Sequence, residues 1–411
     1  MMKSKILKSA IQISLSLLAI LLLCVNCTQP RQRVEENGIT TIDVIGNIPN
    51  VQTVYLSSIA SGIEYCMLET DKQCLIAGKE IYSSGNYFVS IGENCYVFER
   101  ETGTFVRKIS RKGQGPDDYQ ETVGEGFNPE NGQICVSGNR NLLFFNLDGT
   151  LSHKFNLFNP NVTFSFIAYE DMYVGYVPNV FGNSTLRIAF FDNRTGELID
   201  SIPNDRTWKR TQTGWGYSTD YSFHKYDRNL YYKDIYCDTL YQIRGFSLLP
   251  RYLFETGNRS VPYTLQERGR FDIREAMAGR NPDKYEKYIV INRIRENAKF
   301  LFFTFDYRNS MYPAIYHKAE DKIQIISPVD IPSSYFRERK LPLYGIENDL
   351  DGGLTFWPRQ MISDSEMMCV YSVEELLELD ASKITDEKLK KLLKTLKEDD
   401  NPVVAIVTLK D

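Results

Sequence analysis

Histidine is almost missing from this chain: three in 411 residues, His153, His224 and His317, far apart in sequence. So few imidazoles at such distances give no Ser-His-Asp order, no activated Cys–His pair and no zinc-ligand spacing. No catalytic set, metal site or cofactor motif is therefore read from the sequence. Basic runs are missing as well. Lys and Arg number 48 against 53 Asp and Glu, for a net charge of −5. That balance argues against nucleic acid as a partner and against an electrostatic hold on anionic lipid. Long apolar runs are absent except at the start. Residues 10–25 are apolar apart from Gln12, Ser14 and Ser16, and they are too short for a membrane span.

What is present begins with an address. Lys3, Lys5 and Lys8 precede the apolar run, which ends Leu-Leu-Leu-Cys24-Val-Asn-Cys27-Thr-Gln-Pro. An apolar run, a Cys and then polar chain resembles the lipobox of bacterial lipoproteins, in which the Cys is acylated and becomes the mature N-terminus. Cys27 fits that role because polarity changes right after it, whereas Cys24 still lies in the apolar run. The reading is a signal peptide over 1–26, a polar tether over 27–39 and a folded domain over 40–411. The partner implied is a membrane, held through acyl chains on Cys27 at the cell envelope; several chains hold stably where one does not. Of the other cysteines, Cys95, Cys135 and Cys369 sit in apolar strand-like runs as small hydrophobes. Cys66 and Cys74 could bridge neighbouring strands in an oxidising compartment.

From residue 40 to about 260 the chain is written as short strands rich in Tyr, Phe, Val and Ile, separated by turn residues. Three segments repeat. Asn94-Cys-Tyr-Val-Phe-Glu-Arg-Glu-Thr-Gly-Thr-Phe resembles Asn141-Leu-Leu-Phe-Phe-Asn-Leu-Asp-Gly-Thr-Leu and Leu186-Arg-Ile-Ala-Phe-Phe-Asp-Asn-Arg-Thr-Gly-Glu-Leu. The period of ~45–50 residues is one four-stranded propeller blade. A sandwich shares the composition, but the period favours an all-β, six-bladed β-propeller. Gly113 and Gly115, free to take positive φ, and Pro116 punctuate the passage from one small sheet to the next. Two segments break the pattern. Residues 263–299 read as a partly helical insertion, including Tyr285-Glu-Lys-Tyr-Ile-Val-Ile-Asn-Arg-Ile-Arg-Glu. Near the end, Leu389, Leu392, Leu393 and Leu396 line one face of a short helix capped by Thr385. The strands at 40–45 and 403–409 are expected to share the closing blade, which leaves no free edge there.

Four pieces carry a further resemblance: Arg111-Lys-Gly-Gln-Gly-Pro-Asp-Asp-Tyr, Tyr232-Lys-Asp-Ile-Tyr-Cys-Asp-Thr-Leu-Tyr-Gln-Ile, Leu249-Pro-Arg-Tyr-Leu-Phe-Glu-Thr-Gly-Asn, and Asn348-Asp-Leu-Asp-Gly-Gly-Leu-Thr-Phe-Trp-Pro. With the lipobox, they make the chain similar to six-bladed β-propeller lipoproteins of Gram-negative gut-type bacteria, a family without an assigned activity. That family more often has Gly-Glu where this chain has Asp117-Asp118. The resemblance implies fold and export. It implies no reaction, because propellers host binding, scaffolding and catalysis alike.

Three places invite chemistry. The loop from Gly113 to Tyr119, beside Arg111 and Lys112, has backbone N–H groups for an anion but no following helix, so a structural turn is the expectation. Asp234, Asp238, Asp349 and Asp351 read as turn and strand-end carboxylates; Asn348-Asp-Leu-Asp-Gly-Gly falls short of a calcium loop. The third is the polar, Gly-bearing stretch with Trp208, Trp215, Tyr217 and Tyr221. Flat rings with wet polar tips suit a sugar or a protein partner, and packing under the loop is the plainer alternative. The functional expectation is an envelope-tethered, non-catalytic binding module for glycan or protein. A carbohydrate-active lyase or hydrolase stands beside it, with acidic residues, or a His–Tyr–Arg group, converging in a wet pocket at the channel mouth. A scaffold with a flat apolar face is the third.

Overall fold

A computed structural model describes residues 38–411 except 78–79, 93, 111–112, 114, 116–117, 119–120, 129–130, 138–140, 157–165, 178, 180–182, 208–220, 262–286 and 333–341. Residues from Ile42 to Asp411 form one compact unit; before them only 38–41 are described. The unit is a six-bladed β-propeller, six antiparallel sheets each built as a meander around one axis. Blade 1 comprises Ile81–Ser84, Tyr87–Ser90, Cys95–Glu99 and Phe105–Ser110. Blade 2 comprises Glu121–Asn128, Gln133–Ser137, Asn141–Phe145 and Leu151–Asn156. Blade 3 comprises Phe166–Tyr169, Met172–Tyr176, Leu186–Asp192 and Leu198–Pro203. Blade 4 comprises Tyr221–Tyr226, Asn229–Asp234, Thr239–Arg244 and Ser247–Glu255. Blade 5 comprises Val290–Glu296, Phe300–Tyr307, Ser310–His317 and Lys322–Ile325.

The strands read as nearly continuous apolar runs because both faces of each blade are covered by neighbouring blades. Side chains alternate across a strand, and here they alternate between interfaces. In blade 2, Ile134, Val136, Leu143 and Phe145 pack toward Val89 and Val97 of blade 1. Their neighbours Cys135, Leu142 and Phe144 pack toward Phe166, Tyr173 and Ala189 of blade 3. Blade 6 repeats this: Met367, Cys369 and Val407 meet Phe300 and Phe302 of blade 5, while Met368, Val370 and Val404 meet Phe88 and Phe98 of blade 1. A slip of one residue would exchange the two interfaces. The three repeated segments end at the same turn, between third and fourth strands, where Gly103, Gly149 and Gly196 have φ of 73°, 88° and 72°. At Gly103 a Cβ would also lie 2.0 Å from the Met67 carbonyl oxygen, so glycine is required twice over.

Closure differs from the sequence expectation. The last strand, Val403–Leu409, pairs on one side with Glu366–Tyr371 and on the other with Ala60–Met67, from Ala60 opposite Leu409 to Met67 opposite Val403. Gln360–Met361 is the innermost strand of this sixth blade. The strand Thr40–Asp43 belongs elsewhere, at the outer edge of blade 4: Val44 N–H donates to the Glu255 carbonyl (3.1 Å) and Ile42 packs with Tyr252 and Phe254. The alternating 40–45 segment gave the stronger strand signal. Ala60–Met67 is muted by Gly62 and a bulge, as suits a half-exposed outermost strand.

Two helical readings also change. Residues 262–286 lie outside the described residues, but Val290–Glu296 is a strand, the innermost of blade 5. Its Val290-Ile291 pair and Ile294 are buried and β-branched, which favours extended backbone. The short helix α1 spans Val373–Leu377, with Ser372 and Glu375 forming a capping box. The C-terminal helix α2 is present as expected over Glu387–Thr395, burying Leu389 and packing Leu392, Leu393 and the following Leu396 toward the blade 5–blade 6 core, but Asp386 caps it, accepting from Leu389 N–H at 2.8 Å. Carboxylate beats hydroxyl there because it also meets the positive end of the helix. Cys66 and Cys74 are not bridged; both are free thiols.

Candidate functional site

The first strand of every blade borders the axis, and two cavities open along it. The lower one, about 480 Å³, takes Tyr82, Asn128, Ile167, His224, Arg295 and Gln360 from blades 1 to 6 respectively. It lies toward the ends of the first strands, where Gly85, Asp227 and Asp364 follow them. The upper cavity, about 550 Å³, lies where first strands of blades 1 and 6 begin: Glu80 precedes Ile81, and Trp357 and Arg359 precede Gln360. Tyr82, Arg295 and Arg359 line both.

Guanidinium groups dominate the upper wall. Arg359 pairs with Glu80. Burial alone would raise the Glu80 carboxyl and lower the Arg359 guanidinium, but their mutual attraction wins and moves Glu80 down and Arg359 up. Arg295 donates Nε to the Arg359 carbonyl (2.5 Å) and Nη1 to the Ile294 carbonyl (2.8 Å). Arg293 sits in a bulge between Asn292 and Arg295 with φ of 49°. A bulge re-aims a side chain, and positive φ in a non-glycine residue costs about 1–3 kcal/mol. Trp357 stands edge-on to Phe302 (ring centroids 5.7 Å apart), with Tyr344 6.0 Å away. In this wall Thr355 Oγ1, Trp357 Nε1 and Arg359 Nε are buried with no hydrogen-bond partner among the described residues.

The lower cavity is backed by a charged network between blades 4 and 5. Glu296 has a fully buried side chain. It takes hydrogen bonds from Lys318 Nζ (2.7 Å) and Tyr252 OH (3.0 Å) and lies 3.0 Å from His224 Nε2. The His224 ring stacks on Tyr231 at 4.9 Å, and Lys318 Nζ sits 3.9 Å over the Tyr226 ring. Burial would raise the Glu296 carboxyl, but His224 and Lys318 together hold it below the usual range. Burial lowers His224: Lys318 already neutralises Glu296, and a protonated imidazole would add a second cation. His224, Tyr226 and Arg295 therefore meet around one cavity, in kind what an enzyme reading looks for. His224, however, is 4% exposed in its side chain, with Nε2 committed to Glu296.

Of the residues singled out by sequence, Cys27, Trp208, Trp215 and Tyr217 lie outside the described residues. Tyr221 is half-buried in the first strand of blade 4, stacked on Tyr176 at 4.2 Å and edge-on to Phe223. Asp234 pairs with Arg187 at 2.5 Å, and Asp238 accepts from Thr256 Oγ1 at 2.7 Å. Asp349 turns outward to Ser57 N–H (2.8 Å), whereas Asp351 turns inward to Asn348 (2.6 Å) and Gly353 N–H (2.8 Å); the two carboxylates do not converge. In the Gly113 loop, Asp118 Oδ2 accepts the Gly115 N–H at 2.8 Å, where a bound anion would have to compete. Neither Gly113 nor Gly115 uses positive φ. They leave room for that carboxylate, which would lie 2.2 Å from a Cβ at Gly113. Sequence reasoning missed Glu80, Arg295, Trp357, Arg359 and the Glu296 network. A usable signal was Ile-Asn-Arg293-Ile-Arg295-Glu296, charge alternating with isoleucine in a strand.

A family model described as a domain of unknown function, DUF4934, matches residues 39–408. No curated protein matches the chain. Among solved structures, a protein of Bacteroides fragilis NCTC 9343 described as exported has 19% identity and a TM-score of 0.64, over 91% of this chain and 100% of that one. A DUF4221 member from Bacteroides vulgatus ATCC 8482 has 13% identity and a TM-score of 0.51, over 85% and 97%. Both share the fold.

Proposed function

The chain belongs to the DUF4934 family, whose description names no activity, and on that premise we propose an exported, lipid-anchored binding module that takes a glycan at the upper mouth of the axial channel. One observation carries the reading: in a single cavity wall, beside the rings of Tyr82, Tyr344 and Trp357, three polar side-chain atoms have no partner among the described residues. Each unpaired buried polar atom costs about 1–3 kcal/mol. A hydroxyl-rich ligand recovers that cost when Thr355, Trp357 and Arg359 turn toward it, and the rings supply apolar contact for a sugar face. Trp208, Trp215 and Tyr217 precede the first strand of blade 4 in sequence, and we propose for them a supplementary part in glycan binding. The lyase or hydrolase alternative is weaker because the best acid–base candidates, His224 and Glu296, are tied to each other behind the lower cavity.

Glycan-array binding by the detergent-solubilised full-length protein tests the site. Trp357→Phe keeps a smaller aromatic ring and removes the N–H, so affinity should fall about fivefold or more, at least one hydrogen bond, with circular dichroism checking that the variant stays folded after the modest stability loss a smaller core ring brings. Unchanged affinity would place the ligand elsewhere. The anchor has its own check: Cys27→Ala should move the protein from the membrane fraction to the soluble one, and retention on the membrane would refute lipidation at this residue.

A further inference from the structure

The charge balance of the upper cavity bears on the ligand it takes, and this step rests on the binding reading above. Three guanidinium groups, Arg293, Arg295 and Arg359, face two carboxylates, Glu80 and Glu375. Glu80 is paired with Arg359. Glu375 is committed to the capping box of α1, accepting the Ser372 N–H at 2.8 Å. Arg295 has no carboxylate within ion-pair distance among the described residues, and its two hydrogen bonds go to backbone carbonyls through Nε and Nη1. Those two bonds fix the plane of the guanidinium. Its charge reaches Glu80 only through space, helping Arg359 to lower that carboxyl, and it donates no hydrogen bond to an acid. On the same strand, the bulge holds Arg293 at φ 49° on the same wall, where its Nη1 donates to Met311 Sδ (3.0 Å) and its charge also acts on Asp306. A half-buried cation without a counter-ion is expensive, and a planar carboxylate is the group a guanidinium fork pairs with best.

We propose that the ligand is an acidic glycan, a uronic-acid oligosaccharide. Its carboxylate pairs with Arg295, with Arg293 alongside, while its ring and hydroxyls meet Trp357 and the unpartnered donors. Arg359, paired with Glu80 through its Nη2, meets the hydroxyls through Nε rather than the carboxylate.

The test sets galacturonate, glucuronate, mannuronate and guluronate oligomers each beside its methyl ester, with the full-length protein at low and at physiological salt. At least one acid should bind tenfold or more tightly than its ester, and the preference should shrink as salt rises. Arg295→Gln should bring the acid down to the level of the ester. Because the acid–ester comparison is made on the wild-type protein, it stands even where a variant folds poorly. Esters binding as well as acids, with Trp357→Phe still weakening both, would overturn the acidic ligand and leave the glycan site intact. No binding to any member of the set or to neutral glycans would overturn both.

Discussion

A chain shortened to begin at residue 68 should fail to form the ring. Ala60–Met67 pairs with Val403–Leu409 along its length, and Ile63, Tyr65 and Met67 pack on the core shared by blades 5 and 6. Tyr65 OH also accepts from Asn348 Nδ2 at 3.3 Å, tying this strand to the loop that precedes the first strand of blade 6. Burial of each large side chain is worth about 1.5–3 kcal/mol. Those losses, with a strand's worth of backbone pairing, approach the whole 5–15 kcal/mol that holds a typical domain together. They also leave the Val403–Leu409 edge unpaired and open to association. Beginning at residue 46 instead removes only the blade 4 edge strand with Ile42 and Val44, and should cost roughly 2–5 kcal/mol while the fold survives. Circular dichroism melts and size-exclusion profiles of the two truncations separate the outcomes. Cooperative melting of the shorter chain near the wild-type temperature would mean that the ring does not close through this strand.

What could be read from the sequence divides along local and non-local lines. The blade count, the Thr-Gly and Asp-Gly hairpin turns at Gly103 and Gly149, and the apolar face of α2 are local patterns of period, turn and helix face, and all of them appear in the fold. Closure was misassigned because strand pairing across more than three hundred residues leaves no local trace. Thr40–Asp43 carries the clearer alternation and Ala60–Met67 is muted by Gly62, so only packing against Val403–Leu409 marks the second as the closing strand. Val290–Glu296 read as helix because arginine and glutamate among isoleucines mimic an amphipathic stripe. In the ring the same alternation sends isoleucine into the blade interface and Arg293 and Arg295 to the axis. The site was invisible for the same reason. Glu80, Arg295, Trp357 and Arg359 come from three blades, and nothing about each alone marks it. Trp357 lay within one of the segments that carried the family resemblance, yet a Trp beside a Pro reads as a packing residue until its N–H is found without a partner.

The largest point-mutation effect should fall on Glu296. Replacing it with Gln leaves Lys318 in a half-buried site without its counter-charge and weakens the bond from Tyr252. Breaking a buried pair from one side costs about 3–5 kcal/mol, against about 1 kcal/mol for a typical surface substitution at most. Adding Lys318→Met to Glu296→Gln should recover part of the loss, because the stranded charge goes with it. The same network sets acid stability. His224 has its folded pKa depressed by burial, so between that value and the unfolded ~6.5 the unfolded chain binds more protons. Its contribution is therefore complete above ~6.5 and is lost as pH falls. Glu296, also depressed, has its contribution complete above the ordinary value of 4.5, and loses it as pH drops further. Asp306 runs the other way: burial raises it to about 6, so stability declines as pH rises from 3.8 through about 6. Melting temperature should consequently fall on going from pH 7 to 5, with Asp306 offsetting part of the fall, and His224→Gln should flatten the slope in that interval. A profile of the Asp306→Asn variant, where the opposing carboxyl is gone, that stays level from pH 7 to 5 would show that His224 is not held neutral behind the lower cavity. A double variant no more stable than Glu296→Gln alone would show that Lys318 does not depend on Glu296 for its charge balance.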